Sequence, residues 1–180
     1  FWQLTDHLIK NIDKVLYRSA HIMFWYSMNF YEEIHKRFAA VPDLVVDPFP
    51  LIWHKSDNKG LLPDPERGPR RIYETALLIS RGGRKIVQAT GNLYSAPTTK
   101  EIHLSEKPES VLRYFMKMLV DEHTELLDPT CGSGTALRAG EALGAHRVLG
   151  LELDPAFAED AKAALDRSRK LQNLSAGKKV

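Results

Sequence analysis

The sequence predicts an α/β protein whose sheet is mostly parallel, with an antiparallel pair of strands at one edge. The first observation is an alternation of helix, strand and helix that begins at the start of the chain. The second is a short apolar run, Leu126 and Leu127, that leads through two glycines into a helical stretch from Thr135 to Leu143. Another apolar run, 147–151, completes a strand–helix–strand unit, in which the two strands are parallel.

Hydrophobic periodicity assigns three elements to the first 40 residues. Apolar residues recur at helical spacing over 5–16, which predicts an amphipathic helix. The stretch 19–28 is densely apolar and aromatic and has the length of a buried parallel strand. The stretch 30–40 carries Ile34 and Phe38 on one side and charged residues on the others, which predicts a second helix.

The middle of the chain predicts two strands around a loop. The stretch 43–55 contains apolar runs interrupted by Pro48 and Pro50, and proline removes a donor from a strand ladder, so we expect an irregular or edge strand. Residues 56–69 are rich in glycine and proline and predict a loop. Residues 71–80 predict a strand that ends at two glycines. We expect these two strands to form the antiparallel edge pair.

Two later helices are indicated by their first residues. Pro108 suits the first helical position and Glu109 suits a helix N-terminus, ahead of an apolar stripe that reaches Leu119. Near the C-terminus, Asp154 can cap a helix that begins at Pro155. We expect the apolar side of this last helix to face the sheet.

The turn at 128–135, Asp-Pro-Thr-Cys-Gly-Ser-Gly-Thr, has the properties of a cofactor-binding loop. Its glycines allow a positive φ and leave room for a ligand near the backbone. The N–H groups that begin the next helix favour a carboxylate or phosphate by about 0.3–1 kcal/mol per charge. Glu152, about 20 residues further on, could accept hydrogen bonds from both ribose hydroxyls. A lone Gly-x-Gly also occurs in other α/β turns, so both interpretations remain open at this point.

Three motifs in order resemble the DNA amino-methyltransferases, which modify adenine N6 or cytosine N4. They are His-Leu-Ser-Glu-Lys-Pro-Glu at 103–109, the turn at 128–135, and Gly-Leu-Glu-Leu-Asp-Pro at 150–155. The resemblance implies a Rossmann-like, S-adenosylmethionine-dependent methyltransferase fold with S-adenosyl-L-methionine as the cofactor. The family usually has Phe where this sequence has Thr130, at a position that flanks the cofactor.

The resemblance extends to the first half of the chain. Leu-Ile-Trp-His-Lys at 51–55 and Arg-Ile-Tyr-Glu at 71–74 resemble two family strands that lie beside the target base. The resemblance therefore implies a single methyltransferase domain over 1–180, incomplete at its N-terminus and in the circularly permuted, beta-type order. Its parts would be a target-side half at 1–82, a short recognition loop at 83–102 and a cofactor-binding half at 103–180. A loop of about 20 residues can build little base-edge readout, so we expect relaxed or short-site specificity, or recognition by parts outside this sequence.

The resemblance also implies the roles of individual residues. The cofactor-binding residues would be Asp128, Pro129, Thr130, Cys131, Gly132, Ser133, Gly134, Thr135, Glu152, Leu153, His103, Lys107 and Pro108. The substrate-binding residues would be Trp53, Lys55, Arg71 and Tyr73. Trp53 and Tyr73 could stack on an extruded base. Burial statistics favour a core role for Trp53 and leave Tyr73 open. We expect His103 to form structural hydrogen bonds rather than to act as a general base.

Composition excludes several classes of protein. The 180 residues are 43% hydrophobic, which is enough for the core of one domain. We find no apolar run of the length of a membrane span and no signal peptide, and we predict a soluble, cytoplasmic protein. No Cys/His cluster has metal-ligand spacing, so no metal is expected. Cys131, the only cysteine, could be mistaken for a nucleophile, but the resemblance makes it a small residue that lines the cofactor loop.

The distribution of charge is more informative than the net charge of +2. Between Lys55 and Lys100 there are nine Lys or Arg residues and four acids. Such a stretch is either a solvated loop face or a surface that follows phosphates. DNA is the partner that the resemblance implies.

The catalytic residues themselves are not identified by the sequence. Methyl transfer in this family needs a tetrad of the form Asp/Asn/Ser-Pro-Pro-aromatic, and the 180 residues contain no Pro-Pro pair. Because the sequence begins at Phe1 rather than Met, we expect the tetrad to lie upstream in a longer chain. The alternatives are a non-catalytic binding or assembly domain that keeps the cofactor fold, and an RNA methyltransferase. Adenine or cytosine as target, a restriction partner and the oligomeric state are left open.

Overall fold

The computed structural model describes residues 1–99 and 106–176, without the side chains of 175 and 176. His103 lies outside the described residues. The helices are α1 (Trp2–Val15), α2 (Tyr31–Ala39), α3 (Glu109–Met116), α4 (Thr135–Ala142) and α5 (Pro155–Ala176). The strands are β1 (Ala20–Tyr26), β2 (Leu44–Val46), β3 (Leu51–Lys55), β4 (Tyr73–Arg81), β5 (Leu93–Ala96), β6 (Glu125–Asp128) and β7 (Arg147–Gly150).

The larger sheet is organised around β4. This strand is antiparallel to β1 on one side and to both β2 and β3 on the other, and β3 is parallel to β5. β2 pairs with the last residues of β4, and β3 pairs with the first residues of β4. The two short strands therefore lie end to end along the nine-residue β4. Pro48 and Pro50 lie in the break between them.

This topology corrects three of the sequence expectations. The larger sheet is not mostly parallel, because β4 runs against three neighbours. β3 and β4 are not an edge pair, because β3 lies between β4 and β5, and β4 is central. The stretch 83–102 is not all loop, because it contains β5. An apolar run predicts that a strand is buried, but it carries no information about the direction of the neighbouring strand.

Helices cover both faces of the larger sheet. On one face, Ile12 of α1 and Phe38 of α2 pack against Leu77 and Ile79 of β4. On the other face, α3 packs against Trp53 and its neighbours on β3 and β4. The predicted α/β class is therefore confirmed.

The predicted strand–helix–strand unit forms a second, two-stranded sheet. β6 and β7 are parallel and are joined by α4. α3 links this unit to the larger sheet, since its residues Leu112 and Met116 contact Trp25 of β1 and Leu126 of β6 in one apolar cluster. The hydroxyl of Tyr17, just before β1, also donates to the carboxylate of Glu125 at the start of β6, across 3.2 Å.

The longest helix, α5, begins at Pro155 as predicted and runs for 22 residues. It is fixed to α4 by Arg169, whose guanidinium nitrogens lie 2.5–3.1 Å from the Glu141 carboxylate. Across the described residues, none of the helices combines the length and the apolar character needed to cross a bilayer.

Candidate functional site

The turn between β6 and α4 is closed by a short backbone hydrogen bond. Gly132 and Gly134 have φ angles of 48° and 71°, a region in which side chains other than glycine are strained. The amide of Gly134 donates to the carbonyl of Cys131 across 2.7 Å. A Cβ built on Gly132 would meet no atom within 4 Å, so this part of the turn faces open space. A ligand can therefore approach the backbone there.

Glu152 lies directly against this turn. Its Oε2 accepts a hydrogen bond from the amide of Gly132 across 2.9 Å. Its Oε1 accepts from the amides of Leu153 and Asp154 across 2.8 and 3.0 Å. The structure thus brings together the glycine turn and the acidic residue that the sequence separates by about 20 positions, and it fixes the orientation of the carboxylate.

An open surface depression of about 530 Å³ includes Glu152 in its lining. It is lined by Glu152, Leu153, Asp154, Pro155 and Phe157. Leu153 is 97% exposed, so its apolar side chain is available to a planar ring. The arrangement offers a carboxylate for hydroxyl groups next to an apolar surface, which suits a nucleoside.

The carboxyl of Asp128, at the end of β6, contributes to the charge of the site. Burial raises its pKa above the ordinary range. The amide of Thr130, which donates to Asp128 across 3.1 Å, and the charge of Lys107 oppose that rise, whereas the nearby charge of Glu152 adds to it. Two carboxyl groups close together favour a ligand that brings hydrogen-bond donors or a positive charge.

Cys131 packs inside the turn and is not an activated nucleophile. Its Cβ and Sγ lie 2.9 and 2.7 Å from the position that a Cβ on Gly150 would occupy, so the thiol uses the space left by that glycine. Burial, followed by the charges of Asp128 and Glu152, raises the pKa of the thiol. A raised pKa reduces the thiolate fraction, which is the reactive form. Its role as a small residue that lines a cofactor loop stays a prediction.

The other predicted residues of the turn have different exposures. Pro129 is half-buried and Thr130 is exposed. Ser133 and Thr135 are buried, and their hydroxyl oxygens lie 2.8 Å apart. Their side chains therefore stabilise the turn from within, and only their backbone groups are available to a cofactor.

Lys107 and Pro108 lie where the predicted cofactor half meets the target half. Pro108 is buried and caps α3. The Nζ of Lys107 lies 3.5 Å from Oε2 of Glu74 and 4.9 Å from the ring centroid of Trp25. Its charge also opposes the rise in the pKa of Asp128 that burial causes. Lys107 therefore connects the end of β6 to β1 and β4.

The predicted substrate-binding residues separate into buried and accessible ones. Trp53 is 1% exposed and donates from its indole nitrogen to the carbonyl of Ala96 across 3.0 Å. We therefore correct its expected role in substrate binding to a core role, because a base cannot reach the ring. Tyr73 is 46% exposed, and Arg71 is also exposed, in the loop that precedes β4.

Lys55 and Lys107 share one carboxylate. The Nζ of Lys55 lies 2.8 Å from Oε1 of Glu74, and that of Lys107 lies near Oε2 of the same side chain. Sequence reasoning missed Glu74, although it is the last residue of the Arg-Ile-Tyr-Glu phrase. It also missed Arg138, which is buried below the turn. The sequence signal for a buried Arg138 was its position in 135–143, where most residues are small or apolar.

Comparisons with known proteins match the fold rather than the sequence. No family model matches the chain, and no curated protein matches it significantly. The crystal structure of M1.HpyAVI with S-adenosylmethionine matches with a TM-score of 0.77 at 20% identity, over 91% of this chain and 82% of that one. TTHA0409 from Thermus thermophilus, a putative DNA modification methylase in complex with S-adenosyl-L-methionine, matches with a TM-score of 0.67 at 19% identity, over 93% and 78%.

The cytosine-N4-specific PvuII DNA methyltransferase matches with a TM-score of 0.60 at 14% identity, over 80% of this chain and 62% of that one. At such low identities these likenesses establish the fold. The chain shares the α/β fold of these solved structures.

Proposed function

We propose that this chain is the larger part of a site-specific DNA methyltransferase, which transfers a methyl group from S-adenosyl-L-methionine to an exocyclic amine of adenine (N6) or cytosine (N4). The observation that carries the proposal is the contact between Gly132 and Glu152, whose side chain also lines the open depression. The neighbouring structures that contain S-adenosylmethionine have the same fold and cover most of the chain, which supports this choice of cofactor.

The residues of the site fit this cofactor. Glu152 would accept hydrogen bonds from the ribose hydroxyls, and the exposed Leu153 would cover the adenine ring. The open side of Gly132 would admit the amino-acid end, where the charge of Asp128 favours the ammonium group. When bound, the cofactor supplies an electrophilic methyl group on a positively charged sulfur. Of the remaining predicted residues, Lys107 would act through its charge interaction with Asp128, and Pro108 would follow it at the start of α3.

The target side would lie along the ends of β3 and β4. Tyr73, Lys55 and Arg71 occupy neighbouring positions there, since His54 pairs with Tyr73 across the two strands. The half-exposed ring of Tyr73 could stack on an extruded base, and Arg71 could contact phosphate. Lys55 would act through its contact with Glu74, which also fixes Lys107. DNA is the partner that this arrangement favours.

The proposed recognition loop is short. β5 occupies 93–96, so the irregular part of the predicted 83–102 loop before it is limited to about ten residues. So few residues can build little base-edge readout, and we propose short or relaxed site specificity.

We also propose that residues 1–180 form one methyltransferase domain in the cytoplasm, in a restriction-modification setting.

The amine must be activated by residues outside these 180. A tetrad of the Asp/Asn/Ser-Pro-Pro-aromatic form would accept the amine protons and stack on the base, so that the nitrogen lone pair can attack in line. Among the described ladders, β1 pairs only with β4 and β6 only with β7. A further strand that carries the tetrad could pair between β1 and β6, above α3.

Two assays on the full-length gene product test the proposal. Isothermal titration measures binding of S-adenosyl-L-methionine, and tritiated methyl transfer is measured on DNA and on RNA in parallel. Binding with transfer to DNA supports the proposal. Binding without any transfer would instead favour a non-catalytic binding or assembly domain, and transfer to RNA alone would favour an RNA methyltransferase. Absence of cofactor binding would overturn all three.

A further inference from the structure

Arg138 forms a buried set of contacts directly below the glycine turn. Only 10% of its side chain is exposed. Nη1 donates to the carbonyl of Ser133 across 2.7 Å, and Nη2 donates to Oγ1 of Thr135 across 3.1 Å. The guanidinium also lies 3.4 Å from the carboxylate of Glu109 and 3.5 Å from that of Glu106. One planar cation thus contacts the turn, α4 and the segment before α3.

Thr135 and Glu106 complete this Arg138 network, which we define as Arg138, Glu106, Glu109, Ser133 and Thr135. The hydroxyl of Thr135 donates to Oε1 of Glu106 across 3.0 Å. The side chain of Glu106 is 4% exposed, so its charge depends on a nearby cation for compensation. The turn and the segment that contains Lys107 are therefore joined by buried, charge-assisted hydrogen bonds.

The hydrogen bond from Arg138 to the Ser133 carbonyl restrains the most flexible part of the turn. This carbonyl lies between Gly132 and Gly134, two residues with positive φ and the largest conformational freedom of any residue type. A turn of this kind loses entropy when a ligand orders it, and a turn that is already ordered binds more tightly. The Arg138 contact holds this carbonyl on the inner side of the turn, opposite the open side of Gly132.

We infer that Arg138 is a positioning residue for the cofactor, which preforms the turn at 131–134 and fixes it relative to the segment 106–109. This inference rests on the proposed function for its cofactor. Arg138 donates hydrogen bonds to Ser133, Thr135, Glu106 and Glu109, none of which lines the depression, so it would act through the turn. It should therefore change cofactor affinity and leave the chemical step unchanged.

The substitution Arg138→Lys tests this inference, because it keeps the positive charge beside Glu106 and removes the guanidinium fork. In the full-length gene product, we expect the KM for S-adenosyl-L-methionine to rise roughly tenfold, and kcat at saturating cofactor to stay within about twofold. The matched control is Arg169→Lys. It makes the same change at the Glu141 pair on the outer side of α4, and it should leave both constants unchanged.

Hydrogen exchange without cofactor gives a second, independent readout. In Arg138→Lys, the amides of residues 131–134 should exchange faster, while those of β4 and α2 keep their wild-type rates. If this variant does not fold, Glu109→Gln is used. The Glu109 side chain is 34% exposed and makes one contact with Arg138, so the same changes are expected at smaller size.

The outcomes separate this inference from the proposed function. Unchanged exchange in the turn of a folded Arg138→Lys variant would overturn the inference, and so would faster exchange with an unchanged KM. An equal rise in KM in Arg169→Lys would also overturn it. If the wild-type protein binds no cofactor, the proposed function fails, while faster exchange in Arg138→Lys would still establish that Arg138 orders the turn.

Discussion

The amide of Gly132 donates a hydrogen bond to the Glu152 carboxylate across 2.9 Å. This bond joins the turn after β6 to the residue that follows the end of β7 by two positions. Because Glu152 also accepts from two amides of its own loop, its carboxylate has a fixed orientation. In the proposed function, the pair would provide a preformed acceptor for the sugar of a nucleoside, beside a backbone that leaves open space at Gly132.

Gly132→Ala tests whether the open side of the turn is a ligand surface. The substitution places a Cβ at a positive φ, at a cost of about 1–2 kcal/mol in folding stability, and directs it into space that the protein leaves open. Gly83→Ala is the matched control, since Gly83 has a φ of 67° and is equally open. We expect similar losses in urea unfolding for both variants, but weaker binding of S-adenosylhomocysteine by titration only for Gly132→Ala. Equal affinities would contradict the role of the turn.

Glu152→Ala tests the sugar-binding acceptor. Removal of a hydrogen-bonded carboxylate should weaken S-adenosyl-L-methionine binding by about 1–3 kcal/mol, which is about 5- to 150-fold. Glu159→Ala, at an exposed position of α5, is the control and should bind like the wild type. Affinity that survives in a folded Glu152→Ala protein would show that the carboxylate serves only to hold the loop.

The parts of the fold that the sequence predicted correctly depend on local signals. The turn at 128–135 and the helix that begins at Pro155 were predictable because glycine, proline and capping residues act on their immediate neighbours. The direction of β4 was not predictable, because antiparallel pairing with three strands depends on contacts up to 61 positions apart, as between Ala20 and Arg81.

Within the site, too, the contacts that follow from local spacing were predictable, and those between distant segments were not. The separation of Glu152 from the turn is typical of a strand–helix–strand unit, so this contact followed from spacing. The indole N–H of Trp53 can be buried because the carbonyl of Ala96 accepts its hydrogen bond. Ala96 belongs to β5, which lies inside the predicted recognition loop. The two acidic partners of Arg138 are similarly distant, since Glu106 precedes it by 32 positions and Glu109 by 29. Only the packing of α3 against α4 brings them together.

Alkylation of Cys131 reports on the occupancy of the turn, because this is the only cysteine. Burial and two neighbouring carboxylates raise the pKa of the thiol, so the thiolate forms at a higher pH than in free cysteine. We expect iodoacetamide to react more slowly with the folded protein than with the urea-unfolded protein at about pH 8, near the ordinary thiol pKa. The rate should rise at higher pH, and S-adenosylhomocysteine should slow it further. A rate equal to that of the unfolded chain would contradict this account.

The carboxylate of Asp57 holds the loop after β3 to the end of β5. Hydrogen bonds from the hydroxyl and the amide of Thr98, across 2.7 and 3.0 Å, lower the pKa of Asp57 from 3.8 to about 2. Because the folded pKa is lowered, this contribution to stability is present above about pH 4 and is lost as the pH falls towards 2. In Thr98→Val the pKa should move back towards 3.8, as measured by an NMR titration of the carboxyl carbon.

The control for this change is Thr90→Val, whose hydroxyl donates to the neighbouring Gly91 carbonyl in the segment before β5. The pKa of Asp57 should be unchanged in this variant. The same shift in both variants would mean that the Thr98 hydrogen bond is not its cause.

A crystal structure with S-adenosylhomocysteine tests the central claim most directly. The account predicts that both ribose hydroxyls lie within hydrogen-bond distance of Glu152, and that the amino-acid end lies against the turn at 131–134. Adenosine bound elsewhere, or a turn that binds no ligand at millimolar concentration, would contradict it.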